Sequence, residues 1–199
     1  MIAIVDYGAG NLASVKKAFD RLEVESIVTS DPSVVVKAEK IVVPGVGHFT
    51  ATSVLATTGL RDAALDAIGR HTPFLGICVG MQWLFESSEE APKTEGLGRF
   101  QGICRRFPAE VKSPQVGWNQ LNVRGESRLL AGVADGSFVY FTHSYRAPVV
   151  AETVAVTEYG GYFSAAVERD NVFGVQFHPE KSSEIGLRIL KNFCEIPPC

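Results

Sequence analysis

The residues best equipped for chemistry are Gly76, Ile77, Cys78, Val79 and Gly80. An apolar run from Pro73 to Ile77 leads straight into the cysteine, and Met81, Leu84 and Phe85 follow at helical spacing. Cys78 is therefore expected on a sharp turn from strand to helix. Small residues on either side let the strand and helix approach closely and leave the central side chain exposed, as a nucleophile elbow requires. Amides at the start of the following helix would favour a thiolate. The bland alternative for the segment taken alone is a buried core cysteine whose glycines serve only packing.

A thiol nucleophile needs a base that later protonates the leaving group. Of four histidines, His178 is best placed, following the apolar run Val172 to Phe177 and preceding Pro179 and Glu180. In extended chain the side-chain period is two, so His178 and Glu180 point the same way and the carboxylate can orient the imidazole. The bland reading is a surface pair of little consequence. Acyl transfer also needs donors for a developing oxyanion. Pro44, Gly45, Val46 and Gly47 follow the apolar run Ile41 to Val43, and a glycine-bordered loop at a strand's carboxyl end can present backbone amides. The amides of Val46 and Val79 are the expected donors; an ordinary glycine turn is the alternative.

These groups can meet only if the elements carrying them are neighbours. Ile2 to Val5 reads as a first strand, and Leu12, Val15, Phe19 and Leu22 recur at helical spacing behind an Asn11 cap. Ser26 to Thr29, Ile41 to Val43 and Pro73 to Ile77 read as further strands, with a helix over Leu60 to Ile68. Continuous apolar strands alternating with helices imply a parallel sheet covered on both faces. From Arg99 to Phe177 the chain turns to short β-branched and aromatic segments with a turn at Asp135 and Gly136, and a last helix begins near Ser183. The expected fold class is α/β: one domain over residues 1–199, an open, mainly parallel sheet with helices on both faces and an antiparallel extension.

Composition narrows the function. At 199 residues and 46% hydrophobic content the chain can bury one sizeable core. Nineteen basic residues against 22 acidic ones, a formal charge of -3, argue against a nucleic-acid footprint or a polybasic membrane patch. Cys78, Cys104, Cys194 and Cys199 lack paired metal-ligand spacing, Met1 to Asp6 lacks the pattern of a signal peptide, and no apolar run is long enough to span a bilayer. These features point to a cytoplasmic protein with no metal or cofactor and a small-molecule or protein partner.

With the Gly-x-Cys-x-Gly turn and the distant His178-Pro179-Glu180 in hand, the chain resembles the class I, triad-type glutamine amidotransferases. The matching pieces span nearly all of it: Asp6 to Leu12, Pro44 to Phe49, Gly76 to Gln82, Glu89 to Pro92, Gly117 to Asn119, Tyr140 to Tyr145 and Phe177 to Ser182. The resemblance implies hydrolysis of L-glutamine through a γ-glutamyl thioester on Cys78, with His178 moving the proton and Glu180 holding its tautomer. It implies that Gly47, Gln82, Glu90, His143, Ser144 and Tyr145 grip glutamine. It also implies a heterodimer in which ammonia passes to a (β/α)8-barrel cyclase subunit of histidine biosynthesis, with Asn11, Trp118, Tyr140 and Lys181 at the interface. Each of those four has a dull reading, respectively helix cap, core aromatic, core aromatic and solvated lysine.

Other functions compete. Gly8, Gly10 and Ala13 after the first strand fit a dinucleotide fingerprint, with Asp31 near the distance of a ribose contact. Asp6 and Tyr7 intrude between strand and first glycine, however, and a dinucleotide site leaves Cys78, His178 and Glu180 unexplained. Another thiol hydrolase on the same scaffold and a catalytically silent interaction protein also remain compatible with the fold.

Overall fold

The computed structural model describes residues 1–197, so Cys199 lies outside the described residues. In chain order the strands are β1 (Ile2–Val5), β2 (Ser26–Thr29), β3 (Lys40–Gly45), β4 (Phe74–Cys78), β5 (Ser87–Ser88), β6 (Ile103–Arg106) and β7 (Gln115–Gln120). They continue with β8 (Asn122–Val123), β9 (Phe138–His143), β10 (Tyr145–Arg146), β11 (Thr153–Glu158), β12 (Tyr162–Arg169) and β13 (Val172–Val175). The helices are α1 (Leu12–Arg21), α2 (Pro32–Lys37), α3 (Ser53–Thr57), α4 (Leu60–Gly69), α5 (Val79–Trp83) and α6 (Ser183–Glu195).

An eight-stranded sheet in the order β2-β1-β3-β4-β13-β12-β11-β8 forms the centre. The strands from β2 to β13 in that order are mutually parallel, and β12, β11 and β8 continue antiparallel. The chain steps from β1 outward to β2, then back across β1 to β3 and on to β4. Right-handed crossovers make that reversal place α1 on one face and α2 and α4 on the other. The packing follows: α1 meets α6, and α2 and α3 meet α4. The mainly parallel sheet with an antiparallel extension is thus the architecture expected from the pattern.

Three local expectations need correction. The later strands do not all extend the main sheet, since β7 pairs with β9 alone and β10, β6 and β5 form a third sheet. β2 is an edge strand, and its Ile27 and Val28 are exposed, so that part of the sheet is not covered as a buried parallel strand would be. Asp31 caps α2, accepting a hydrogen bond from the Ser33 amide at 2.8 Å, which accounts for it without a nucleotide.

Candidate active site

The carboxyl ends of β3, β4 and β13 lie side by side in register, with Gly45 beside Cys78 and Val175 beside Ile77. Residues that leave these three strands therefore converge at one point, although they are up to 134 positions apart in the chain: Val46 and Gly47 after β3, Cys78 ending β4, and Gln176 to Glu180 after β13. Open parallel sheets place their ligand crevices at these ends.

Cys78 has φ +54° and ψ −108°, a conformation that non-glycine residues seldom adopt. It is tolerated because both flanking glycines allow close packing. A Cβ on Gly80 would lie 1.8 Å from the Val43 carbonyl oxygen, and one on Gly76 would lie 2.5 Å from that of Gly80. Strand and helix thus close on each other until only backbone fits, and the turn is as tight as the elbow reading requires. The helix that follows is shorter than the spacing suggested. α5 covers only five residues, with Leu84 already its C-cap, so its dipole can contribute little to a thiolate.

His178 is 1% exposed, and its Nδ1 lies 2.8 Å from Glu180 Oε1 on a carboxylate whose side chain is also 1% exposed. That burial removes the surface-pair reading. The contact does not arise from strand periodicity, however. The chain leaves its extended path at Pro179, which opens a short 3-10 turn over Pro179–Lys181, and the turn folds the carboxylate back onto the ring. Burial by itself depresses the imidazolium, but interaction with Cys78 and the hydrogen bond and charge of Glu180 outweigh it and raise His178 to a pKa of about 10. His178 Nε2 is buried without a hydrogen bond among the described residues, within electrostatic reach of Cys78.

Besides His178, the Cys78 sulfur has two hydrogen-bond partners among the described residues. The thiol donates to the Thr142 carbonyl at 3.9 Å, and Gln176 Nε2 donates to the sulfur at 3.7 Å. Gln176 is fully buried, a single polar residue inside the apolar run Val172 to Phe177. The period-two rule that pairs residues 178 and 180 also points to residue 176, so the signal was present. Tyr7 is likewise unforeseen. Its hydroxyl is buried and unpartnered, and it would lie 2.3 Å from a Cβ on Gly45, so it fills the space which that glycine leaves. Burial, and then the charge of Cys78, push the Tyr7 phenol well above its ordinary range, so it stays protonated.

The remaining expected site residues scatter in role. Gly47 is exposed with φ +97°, a glycine conformation, in the loop that follows β3. Glu90 accepts from the Phe49 amide at 2.7 Å and so ties down that loop. Gln82 is buried, its Nε2 donating to the Tyr145 carbonyl at 2.8 Å and to Gln176 Oε1 at 3.1 Å. His143 is enclosed by the rings of Phe107, Phe141 and Phe163, its Nδ1 bonded to the Tyr145 carbonyl at 2.9 Å; burial holds it neutral, with a pKa of about 4. Its ring is thus part of the packing that shapes the site. Ser144 and Tyr145 follow it, half-buried.

Asn11 caps α1 through the Ser14 amide at 3.3 Å, as its dull reading held. Trp118 is not a core aromatic: it is 51% exposed and stands edge-on to Tyr140, over whose ring Lys181 Nζ sits at 5.8 Å. α1 packs against the turn that bears Lys181. No group of three or more histidine, cysteine, aspartate or glutamate side chains is placed to hold a metal ion among the described residues.

Fold and site together define a glutamine amidotransferase of class I. The chain belongs to that family, whose model, glutamine amidotransferase class-I, matches residues 3–196. Among its relatives is imidazole glycerol phosphate synthase subunit HisH of Thermococcus kodakarensis, 50% identical over 199 residues, covering 97% of this chain and 98% of that one. The subunit of the same name from Chlorobium luteolum is 46% identical, over 98% of this chain and all of that one. A crystal structure of a glutamine amidotransferase superposes with a TM-score of 0.77 at 20% identity, covering 98% of both chains. PurLQS from Thermotoga maritima superposes at 0.72 and 18%, over 98% of this chain and 97% of that one. Those structures share the fold.

Proposed function

We propose that residues 1–199 form one cytoplasmic glutaminase domain, the subunit of imidazole glycerol phosphate synthase that hydrolyses L-glutamine and hands the ammonia to a cyclase. The observation that carries the mechanism is the convergence of Cys78, His178 and Glu180 at the ends of β4 and β13, with the ring of His178 locked by a buried carboxylate. Cys78 gives its thiol proton to His178 Nε2, the resulting thiolate attacks the side-chain carboxamide carbon of glutamine, and the carbonyl oxygen takes up the charge. The amides of Val46 and Val79 receive that oxyanion. Val79 is the first residue of α5, so its N–H has no partner within the helix.

Collapse of the tetrahedral intermediate breaks the carbon–nitrogen bond, and His178 Nε2 gives the departing nitrogen its proton. A γ-glutamyl thioester remains. His178 then takes a proton from water, whose oxygen attacks the thioester, and glutamate leaves as the thiol is restored. Gly47, Gln82, Glu90, His143, Ser144 and Tyr145 frame the substrate in this reading, several of them through the loop and strand positions they hold.

Ammonia released into neutral water is protonated and loses its nucleophilicity, so the partner must seal the mouth of the site. The outer face of β7 and β9 supports this. Val116 is 60% exposed, Trp118 51% and Phe138 53%, with Tyr140 and Lys181 alongside, and Thr142 on the same face touches the Cys78 sulfur through its carbonyl. Exposed apolar surface of this kind marks an interaction site. The occupant in this reading is a (β/α)8-barrel cyclase that makes imidazole glycerol phosphate and aminoimidazole carboxamide ribotide in histidine biosynthesis, with Asn11 at the rim of the interface.

The test is steady-state glutamine hydrolysis by the purified chain with and without the cyclase and its nucleotide ligand. Low activity alone and marked stimulation in the complex are expected, with Trp118→Ala weakening the stimulation. Full activity in the isolated chain, unchanged by the partner, would count decisively against this function.

A further inference from the structure

Beyond the His178 imidazole, deprotonated Cys78 needs a hydrogen-bond donor that the elbow does not provide. α5 is too short to supply a strong dipole, and the Thr142 carbonyl favours the thiol, because it can accept from S–H and repels a thiolate. We propose that Gln176 is a catalytic residue, its carboxamide N–H donating to the Cys78 sulfur to stabilise the thiolate, with Gln82 as the positioning residue that aims it.

Register brings Gln176 to the nucleophile. Val175, the last residue of β13, pairs with Ile77 of the parallel β4, so the residues that follow, Gln176 and Cys78, are neighbours. The Gln176 amide donates to the Ala165 carbonyl at 2.9 Å, which holds its backbone, and its side chain is wholly buried. A carboxamide carries two N–H donors at one end and an acceptor at the other, so its orientation decides what it can do.

Here a chain of hydrogen bonds sets that orientation, beginning at a group that cannot be turned round. The Tyr145 backbone carbonyl only accepts, so the end of Gln82 that lies 2.8 Å from it must be the NH2. The second hydrogen of that NH2 faces Gln176 at 3.1 Å, which requires the Gln176 oxygen there. The Gln176 NH2 is left facing the Cys78 sulfur at 3.7 Å. Reversing either amide would set donor against donor or acceptor against acceptor in a buried site, an arrangement that costs more than either hydrogen bond contributes. The donor is therefore aimed before the thiol ionises. A neutral N–H to thiol contact becomes a charge-assisted hydrogen bond once the thiolate forms, while the contact to Thr142 is lost.

The inference rests on Cys78 being the nucleophile, and the experiment separates the two claims. Alkylation of Cys78 in the full chain by iodoacetamide would be followed by mass spectrometry across pH for wild type, Gln176→Met, Gln82→Met and the double variant, alongside melting temperatures. Methionine keeps the length of glutamine and removes the donor. Gln176→Met is expected to shift the alkylation profile to higher pH and to slow alkylation near neutrality by about tenfold, the scale of one charge-assisted hydrogen bond. Gln82→Met should shift it the same way, and the double variant should go no further than Gln176→Met, since the two act in series. A purely structural Gln176 would lower the melting temperature and leave the profile in place. An unshifted profile in Gln176→Met overturns the proposal. Should that variant not fold, an unshifted profile in Gln82→Met does so. Failure of wild-type Cys78 to react ahead of Cys104 and Cys194 would instead overturn the nucleophile itself.

Discussion

Replacing Glu180 by glutamine tests whether the buried carboxylate governs the chemistry or merely accompanies it. Its Oε1 is 2.8 Å from His178 Nδ1, its other oxygen has no hydrogen bond among the described residues, and its side chain is 1% exposed. The hydrogen bonding of that carboxylate is thus directed at the ring. A glutamine there has two ways to sit. With its oxygen toward Nδ1 it accepts without charge and no longer stabilises the imidazolium. With its NH2 toward Nδ1 it drives the ring proton to Nε2, where it blocks acceptance from the thiol. Loss of a charge-assisted hydrogen bond in a buried site is about 1.5–3 kcal/mol. If it is felt fully in the transition state, turnover falls by about 10- to 150-fold. The assay is glutamate release at saturating glutamine with the cyclase bound, together with alkylation of Cys78, which should stay measurable because the nucleophile and its turn are untouched. His178→Ala should cost more, on the order of 10^3-fold or beyond, because it removes the group that moves the proton. An exposed pair would contribute roughly 0–1 kcal/mol, less than about fivefold in rate. A loss of that size or none in Glu180→Gln would refute the reasoning and leave Cys78 and His178 as a dyad.

Cys78→Ala and Cys78→Ser should both abolish turnover, by on the order of 10^3-fold or more, with the circular dichroism spectrum unchanged. A glutamine-analogue electrophile should label Cys78 ahead of Cys104, whose thiol is pushed up by complete burial, and ahead of Cys194, raised to about 11 by burial; equal labelling on mass spectrometry would remove the assignment. Because folding raises His178 from 6.5 to about 10, its contribution to stability is complete below about pH 6.5 and is lost as the pH rises through 10. Denaturant titrations should show that alkaline loss in the wild type and much less of it in His178→Ala; identical pH dependence in the two would contradict it. Gly80→Ala forces a methyl to within 1.8 Å of the Val43 carbonyl oxygen, so strand and helix must separate, at a cost of about 1–3 kcal/mol or more. At this size each kcal/mol lowers Tm by about 2–4 °C, and calorimetry showing wild-type melting would disprove the close approach.

Much of this molecule could be read in its sequence, for a definite reason. Apolar runs of strand length alternating with helical periodicity leave few ways to bury both, so a largely parallel sheet is legible in the sequence alone. The elbow was legible too, because glycines two residues either side of a cysteine between a strand and a helix have few other uses. Where periodicity failed, it did so locally. It overextended α5, since Leu84 and Phe85 keep helical spacing although the helix has ended, their burial coming from tertiary packing. Strand periodicity also predicts a His178 to Glu180 contact, but that contact arises from the turn that Pro179 starts.

What the sequence determined by itself is the set of groups that can react and the elements that carry them. Residue type and short-range pattern record those directly. What only the tertiary structure decided is which groups touch, how deeply they lie, and which way each polar end points. Glu180 reads equally as a surface charge until burial at 1% exposure makes it a partner for the imidazole, and Trp118 reads as core until the β7 and β9 pairing turns it outward. Gln176 is one polar letter inside an apolar run until strand register sets it beside Cys78 and a backbone carbonyl 31 residues away, acting through Gln82, fixes the direction of its amide. Contacts between residues distant in the chain depend on register and burial, and neither is encoded in local spacing.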